Sequence, residues 1–117
     1  MNELLNGISV FENIKHIDEA GNEYWKAREL GKTIEYIKWQ KFNDVINRTI
    51  DACKGSNYMI FDHFTQVGKM DVIGSAASRK VIDYKLSRYA CYLIAQSGDS
   101  RKKTIALAQT YFAIQTR

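Results

Sequence analysis

Apolar residues recur along this chain with two different periods, and the switches between them predict the order of elements. In "VFENIKHIDEAGNEYWKA", Phe11, Ile14 and Ile17 lead into the polar stretch Asp18-Glu19-Ala20-Gly21-Asn22, and Tyr24 and Trp25 return from it. That pattern reads as a hairpin. "KARELGK" reads as a short helix stopped at Gly31. A longer helix follows from Glu35 to Lys54, because Trp39, Phe42, Ile46, Ile50 and Cys53 fall close to helical spacing. Its other face carries Lys41, Asp44, Arg48 and Asp51, alternating in sign at three- and four-residue steps. This is the pattern of a solvated, self-paired helix face.

"NYMIFDHF" reads as another short helical turn. A second hairpin follows in "TQVGKMDVIGSAASRKVIDYKLS", turning through Gly74-Ser75-Ala76-Ala77-Ser78. In its return strand Ile82, Tyr84 and Leu86 alternate with Val81, Asp83 and Lys85. Ser87 is placed to cap a helix over Arg88 to Gln96, apolar nearly all round and therefore central. Tyr92, Leu93 and, from the last helix, Phe112 are the expected core anchors. Ser97-Gly98-Asp99-Ser100 reads as a helix stop followed by a new N-cap. In the last helix Ile105, Leu107, Ala108, Tyr111, Phe112 and Ile114 fill one half of the wheel. The other half holds Lys102, Lys103, Ala106, Gln109, Thr110, Ala113, Thr116 and Arg117, with no acid among them. The expected fold is α+β: two hairpins with about four to five helices, the last two forming the core.

Composition narrows this picture. At 117 residues, 45% apolar and without proline, the chain suits one domain, residues 1–117, with 1–10 expected as a loosely ordered tail. No apolar run reaches the roughly 18 residues of a membrane helix, and "MNELLNGISV" lacks the basic and apolar regions of a signal peptide. Cys53 and Cys91 both sit in apolar helical patterns and read as buried reduced thiols of a cytoplasmic protein. The formal charge of +4 and pI near 9.1 suit an anionic partner without demanding one.

Charge placement is more informative than net charge. Arg101, Lys102 and Lys103 are expected in the first turn of the last helix, the end that disfavours cations. An anionic partner would explain them, since free N–H groups at a helix start also attract anions; plain solvation explains them as well. The small-residue turn "GSAASRK" carries Arg79 and Lys80, and Lys69, Lys85 and Arg88 are nearby in sequence, so that the basic clusters could form one surface. Gln109, Thr110 and Arg117 complete a face suited to a phosphate backbone and base edges.

"WKARELGK", "ACKGS", "DHF" and "IGSAASRKVIDYKLSRYACYLIAQSGDSRKKTIALAQTYFAIQTR" together resemble the N-terminal part of the DNA-damage-inducible protein D family. That family is similar to the BRO-type N-terminal domain of viral and phage proteins, including phage antirepressors. The resemblance covers roughly Phe11 to Arg117 and implies an α+β domain of hairpins and helices. It further implies association with DNA, a bacterial cytoplasmic (nucleoid-associated) setting and a link to the DNA-damage response. Members of the family continue beyond this point, so the chain is expected to be one domain of a longer architecture. BRO-type domains commonly carry Leu-Gly-Tyr after the first short helix, where this chain has Ile34-Glu35-Tyr36.

The residues do not argue for an enzyme. His16 and His63 are isolated, no cluster has metal-ligand spacing, and there is no glycine-rich nucleotide loop. Asp71, eleven residues, then Asp83-Tyr84-Lys85 is the one arrangement resembling a Mg²⁺ nuclease core; alternation on a solvent-facing hairpin explains it equally well. The expectation is a non-enzymatic DNA-binding domain without metal or cofactor, strand preference and homo-oligomerisation left open. Its contacts would be Arg79, Lys80, Arg88, Arg101, Lys102, Lys103, Gln109, Thr110 and Arg117. The other reading is a protein-interaction module acting on recombination proteins or a repressor.

Overall fold

A computed structural model describes residues 9–55, 62–72 and 78–115, with the side chains of 69–72, 78, 79 and 115 outside the description. It is an α+β fold. A short helix α1 over residues 9–13 precedes β1 (Lys15–Ile17) and β2 (Glu23–Lys26). Then come α2 (Ala27–Thr33), α3 (Trp39–Gly55), β3 (Phe64–Val72), β4 (Ser78–Leu86), α4 (Arg88–Gln96) and α5 (Lys103–Gln115). The strands form one antiparallel sheet in the order β1-β2-β4-β3.

The first hairpin turns where the sequence indicates. Asp18 Oδ1 accepts from the N–H groups of Ala20 (2.9 Å) and Asn22 (2.8 Å), a local side-chain turn. Phe11, however, lies in α1 and not in the strand. Its ring is needed in the core, stacked on Tyr111 at 5.3 Å, and its carbonyl accepts from Trp25 Nε1 at 2.9 Å. Ser9 and Val10, assigned to the tail, already belong to α1; residues 1–8 lie outside the described residues.

Gly31 does not stop α2. It is buried inside the helix, and a Cβ there would fall 2.8 Å from Phe42 Cδ2. Its role is to let α3 approach closely. The chain leaves the helix three and four residues later, at Ile34 and at Glu35, whose φ is +70°. That left-handed φ is one that glycine adopts most readily, and here an L-residue takes it. α3 begins at Trp39, four residues after the expected start, because that turn intervenes. Its apolar stripe packs inward as expected. Lys41, Asp44, Arg48 and Asp51 are exposed, but among the described residues they form no ion pairs with one another; Asp44 instead accepts from Gln40 at 3.0 Å.

β3 and β4 pair over their full length, from Phe64↔Leu86 to Val72↔Ser78. Among the described residues, only those at the base of this hairpin reach the core, through Phe64, Tyr84 and Leu86. Farther out Gln66, Gly68, Lys80 and Ile82 are exposed. The turn from Gly74 to Ala77 and most of "NYMIFDHF" lie outside the described residues, and Phe64 at the latter's end opens β3. Ser87 caps α4 as expected, its Oγ accepting from Ala90 N–H at 3.0 Å and pairing with His63 Nδ1 at 2.6 Å.

The core lies between the sheet and α4–α5. Trp25 is fully buried and meets Phe112 edge to face at 5.0 Å. α4 contributes Ala90, Cys91, Ile94 and Ala95, and α5 contributes Ile105, Ala108, Tyr111 and Phe112. Tyr92 and Leu93 are only partly buried, at the margin of this core, because Ile94 and Cys91 take the central positions. Both cysteines are buried free thiols, and burial pushes the Cys91 thiol well above its ordinary value.

Candidate nucleic-acid interface

The cations assigned from sequence fall into three different environments. Arg88 is in the core, 9% exposed. Its Nε and Nη2 donate to the two oxygens of Glu23 at 2.5 and 3.0 Å, and Nη2 also reaches Tyr111 Oη at 3.3 Å. The guanidinium lies 5.0 Å from the Trp25 ring centroid and 4.9 Å from that of Tyr111. Tyr111 in turn donates to Glu12 on α1. The network joins α1, β2, α4 and α5, and sequence order carries no sign of it: Glu23 and Arg88 are 65 residues apart. Hydrogen bonds from Arg88 hold the Glu23 carboxyl below the usual range, and the Tyr111 hydroxyl does the same for Glu12. Burial, then the Glu12 contact, pushes the Tyr111 phenol up to about 12. Arg88 is thus a structural pin whose donors are turned inward.

At the start of α5 the cations are arranged differently from expectation. Arg101 and Lys102 lie in the turn ahead of the helix, and Lys103 is its first residue. Asp99 offsets one of the three cations, Arg101. Its carboxylate accepts from the Arg101 N–H at 3.0 Å and from the Arg101 guanidinium at 3.0 Å through each of two nitrogens. Those hydrogen bonds lower the Asp99 pKa. Arg101 keeps a side chain 90% exposed, while Lys102 and Lys103 are exposed beside it. Gly98 lets this turn close, since a Cβ there would meet Ile105 Cγ2 at 2.8 Å.

The remainder of the α5 face is less polar than its sequence suggests. Gln109 is partly buried, and its Nε2 donates to the Ala95 carbonyl at 2.9 Å, tying α5 to the end of α4. Thr110, Ala113 and Ile114 are exposed, Ile114 to 58%. Arg117 lies outside the described residues.

On the long hairpin, Lys80 is exposed and in register with Met70, its stem lying across Gly68. Arg79 precedes it in register with Asp71, and its side chain is outside the description. The α5 turn sits at the C-terminal end of α4, whereas β4 enters α4 at its N-terminus; one length of this nine-residue helix, roughly 13 Å, separates the two ends.

The nuclease-like pattern does not assemble. Asp71 is in register with Arg79, four residues along β4 from Asp83, so the two positions are roughly 13 Å apart. Asp83 is also 3% exposed and already committed. Its Oδ1 accepts from the N–H groups of Arg28 (3.0 Å) and Tyr84 (2.8 Å), supplying from β4 the cap that Lys26 does not provide for α2.

Sequence reasoning missed one surface. On the outer face of the sheet, opposite the core, His16 stacks on Tyr24 at 5.3 Å and bonds Glu29 at 2.7 Å. Lys85 Nζ lies 5.0 Å from the centre of the Tyr24 ring, and Lys26 is in register with Lys85. Beside them opens a cleft of about 420 Å³ that includes Thr65, Ser87, His63 and Tyr89. Strand alternation, which puts Tyr24 and Lys26 on one face and Trp25 on the other, was the available signal.

Residues 13–113 match the BRO family, N-terminal domain, and the chain belongs to that family. Among characterised proteins it is similar to DNA damage-inducible protein D of Escherichia coli (strain K12), 50% identical over 107 residues. That match takes in 92% of this chain and 39% of the relative, so the chain spans about two fifths of the relative's length. No solved structure matches it. Among the described residues no helix is long and apolar enough to cross a membrane.

Proposed function

We propose that this domain binds DNA without catalysing a reaction on it, and serves a regulatory role in the response to DNA damage. The observation that carries the reading is the exposed Lys102–Lys103 pair at the mouth of α5, a helix with no acid in its first turn. Lys80 on the projecting hairpin, the charge of +4 and the kinship with a damage-inducible protein support it. Phosphate contacts from Lys80, Arg79, Lys102 and Lys103 would make affinity fall with salt, by about 0.9 in log–log slope per contact on duplex DNA. Arg101 contributes less, being paired with Asp99, and Thr110 and the carbonyl of Gln109 are the groups left to reach base edges.

The exposed Thr110, Ala113 and Ile114 favour a second reading, in which this strip of α5 docks on a protein such as a recombination factor or a repressor. Replacing both Lys102 and Lys103 by glutamate separates the two. Acids at a helix start are favourable by about 0.3–1 kcal/mol each, so the variant should be at least as stable as the parent. Its DNA affinity in an electrophoretic shift at low salt should fall more than tenfold. Undiminished binding removes these lysines from the interface, and a parent that shifts no DNA at all leaves the protein-docking reading.

A further inference from the structure

We infer that the outer-face cleft beside Tyr24 is a binding site for an unpaired nucleotide of single-stranded nucleic acid, an inference that rests on the DNA-binding reading above and specifies its ligand. Tyr24 lies on β2, between β1 and β4. His16 therefore covers the ring from the β1 side, and the Lys85 ammonium approaches from the β4 side, where the cleft opens. His16 is fixed by Glu29 and backs the ring as a rigid platform. Lys85 is an exposed side chain on a flexible stem, able to swing off the ring face when a base takes its place.

The lysines supply the second half of the argument. Lys26 and Lys85 stand directly opposite one another across β2 and β4, both exposed, and among the described residues neither forms an ion pair. Like charges directly opposite destabilise a sheet. In-register positions are about 5 Å apart, close enough for two ammonium groups to share one phosphate. The acids nearest the cleft do not neutralise them. Asp18 is bound into its own turn and Glu23 is held by Arg88, which leaves exposed Asp62 at the rim, suited to accept from a base amino group. His63 and Tyr89, in edge contact at 5.2 Å, form a second aromatic wall. A volume of about 420 Å³ is within the range of small-ligand sites. An aromatic platform beside paired cations is the combination that takes up a splayed base and its phosphate, whatever the base.

The test uses labelled oligothymidylate and a duplex of the same length, with fluorescence anisotropy for each. Tyr24→Leu should weaken oligothymidylate binding about 5- to 150-fold, the loss of one stacked base. Tyr24→Trp should keep the affinity, and its new indole, read as the difference from the parent, should be quenched by the oligonucleotide. Lys26→Glu with Lys85→Glu, which takes the net charge from +4 to 0, should weaken oligothymidylate binding about tenfold more than it weakens duplex binding. If Tyr24→Leu binds oligothymidylate like the parent, or the parent binds duplex but no single strand, the cleft assignment is overturned while the DNA-binding reading stands. If the parent binds neither form, both are overturned.

Discussion

Replacing Arg88 by alanine separates the tertiary structure from the linear charge pattern. Read from its neighbours in sequence, Arg88 is one more cation for phosphate, and its loss should weaken DNA binding and spare stability. In the fold the same substitution removes two hydrogen bonds to Glu23 and one to Tyr111, and vacates the space between the Trp25 and Tyr111 rings. It leaves behind the Glu23 carboxylate, only 33% exposed, with Lys15 at 3.7 Å as its remaining ion pair. Removing one partner of a buried pair costs about 3–5 kcal/mol, and the residual exposure of Glu23 reduces this to about 2–4 kcal/mol. For a domain of this size, at about 4 °C per kcal/mol, the melting midpoint should fall by about 8–16 °C. Arg88→Met, which keeps the volume, should fall by about half as much, and combining it with Glu23→Leu should recover most of the loss, since an apolar pair no longer strands a charge. Thermal unfolding by circular dichroism measures all three. Affinity for duplex DNA, which does not use the cleft beside Tyr24, should be unchanged within about twofold well below the midpoint. An Arg88→Ala midpoint equal to the parent's, with affinity lost, would refute the burial argument and return Arg88 to the interface.

Two further outcomes follow from the same geometry. Glu35→Gly should raise stability by about 0.5–1 kcal/mol: relief of a left-handed L-residue is worth about 1–2 kcal/mol, less the extra chain entropy of glycine; urea unfolding would disprove it by showing no gain. Stability should also depend on pH at both extremes. The Glu12 and Glu23 carboxyls are held below their ordinary value of 4.5, so their contribution is complete above that value and is lost below it, as pH falls through the lowered folded values. Tyr111 titrates at about 12 against an ordinary 10; its contribution is complete below pH 10 and is lost between 10 and 12, where the unfolded phenol ionises first. Tyr111→Phe should flatten that alkaline loss, and an unaltered alkaline limb would contradict the assignment.

The sequence by itself determined the elements whose signals are local. The Asp18–Asn22 turn, the Ser87 cap, the extent of α4 and the inward stripe of α3 each depend on residues within a few positions of one another. A side chain that bonds its own turn behaves there much as it would in a peptide. The resemblance to BRO-type domains likewise was legible, because it lies in the order of residues. What a polar side chain is used for depended on distance in space. Asp83 looked like a surface or catalytic acid and is the cap of a helix 55 residues earlier; Gln109 looked free and is bound to Ala95; Arg88 looked like a phosphate ligand and pins the core. Arginine, aspartate and glutamine carry the same donors and acceptors whether buried or exposed, and burial without a partner is costly. Only the packing of α4 and α5 on the sheet decided which of them had partners inside. The Lys26–Lys85 pair beside Tyr24 was hidden for the same reason, since β2 and β4 lie far apart in the chain and meet only when the sheet is assembled.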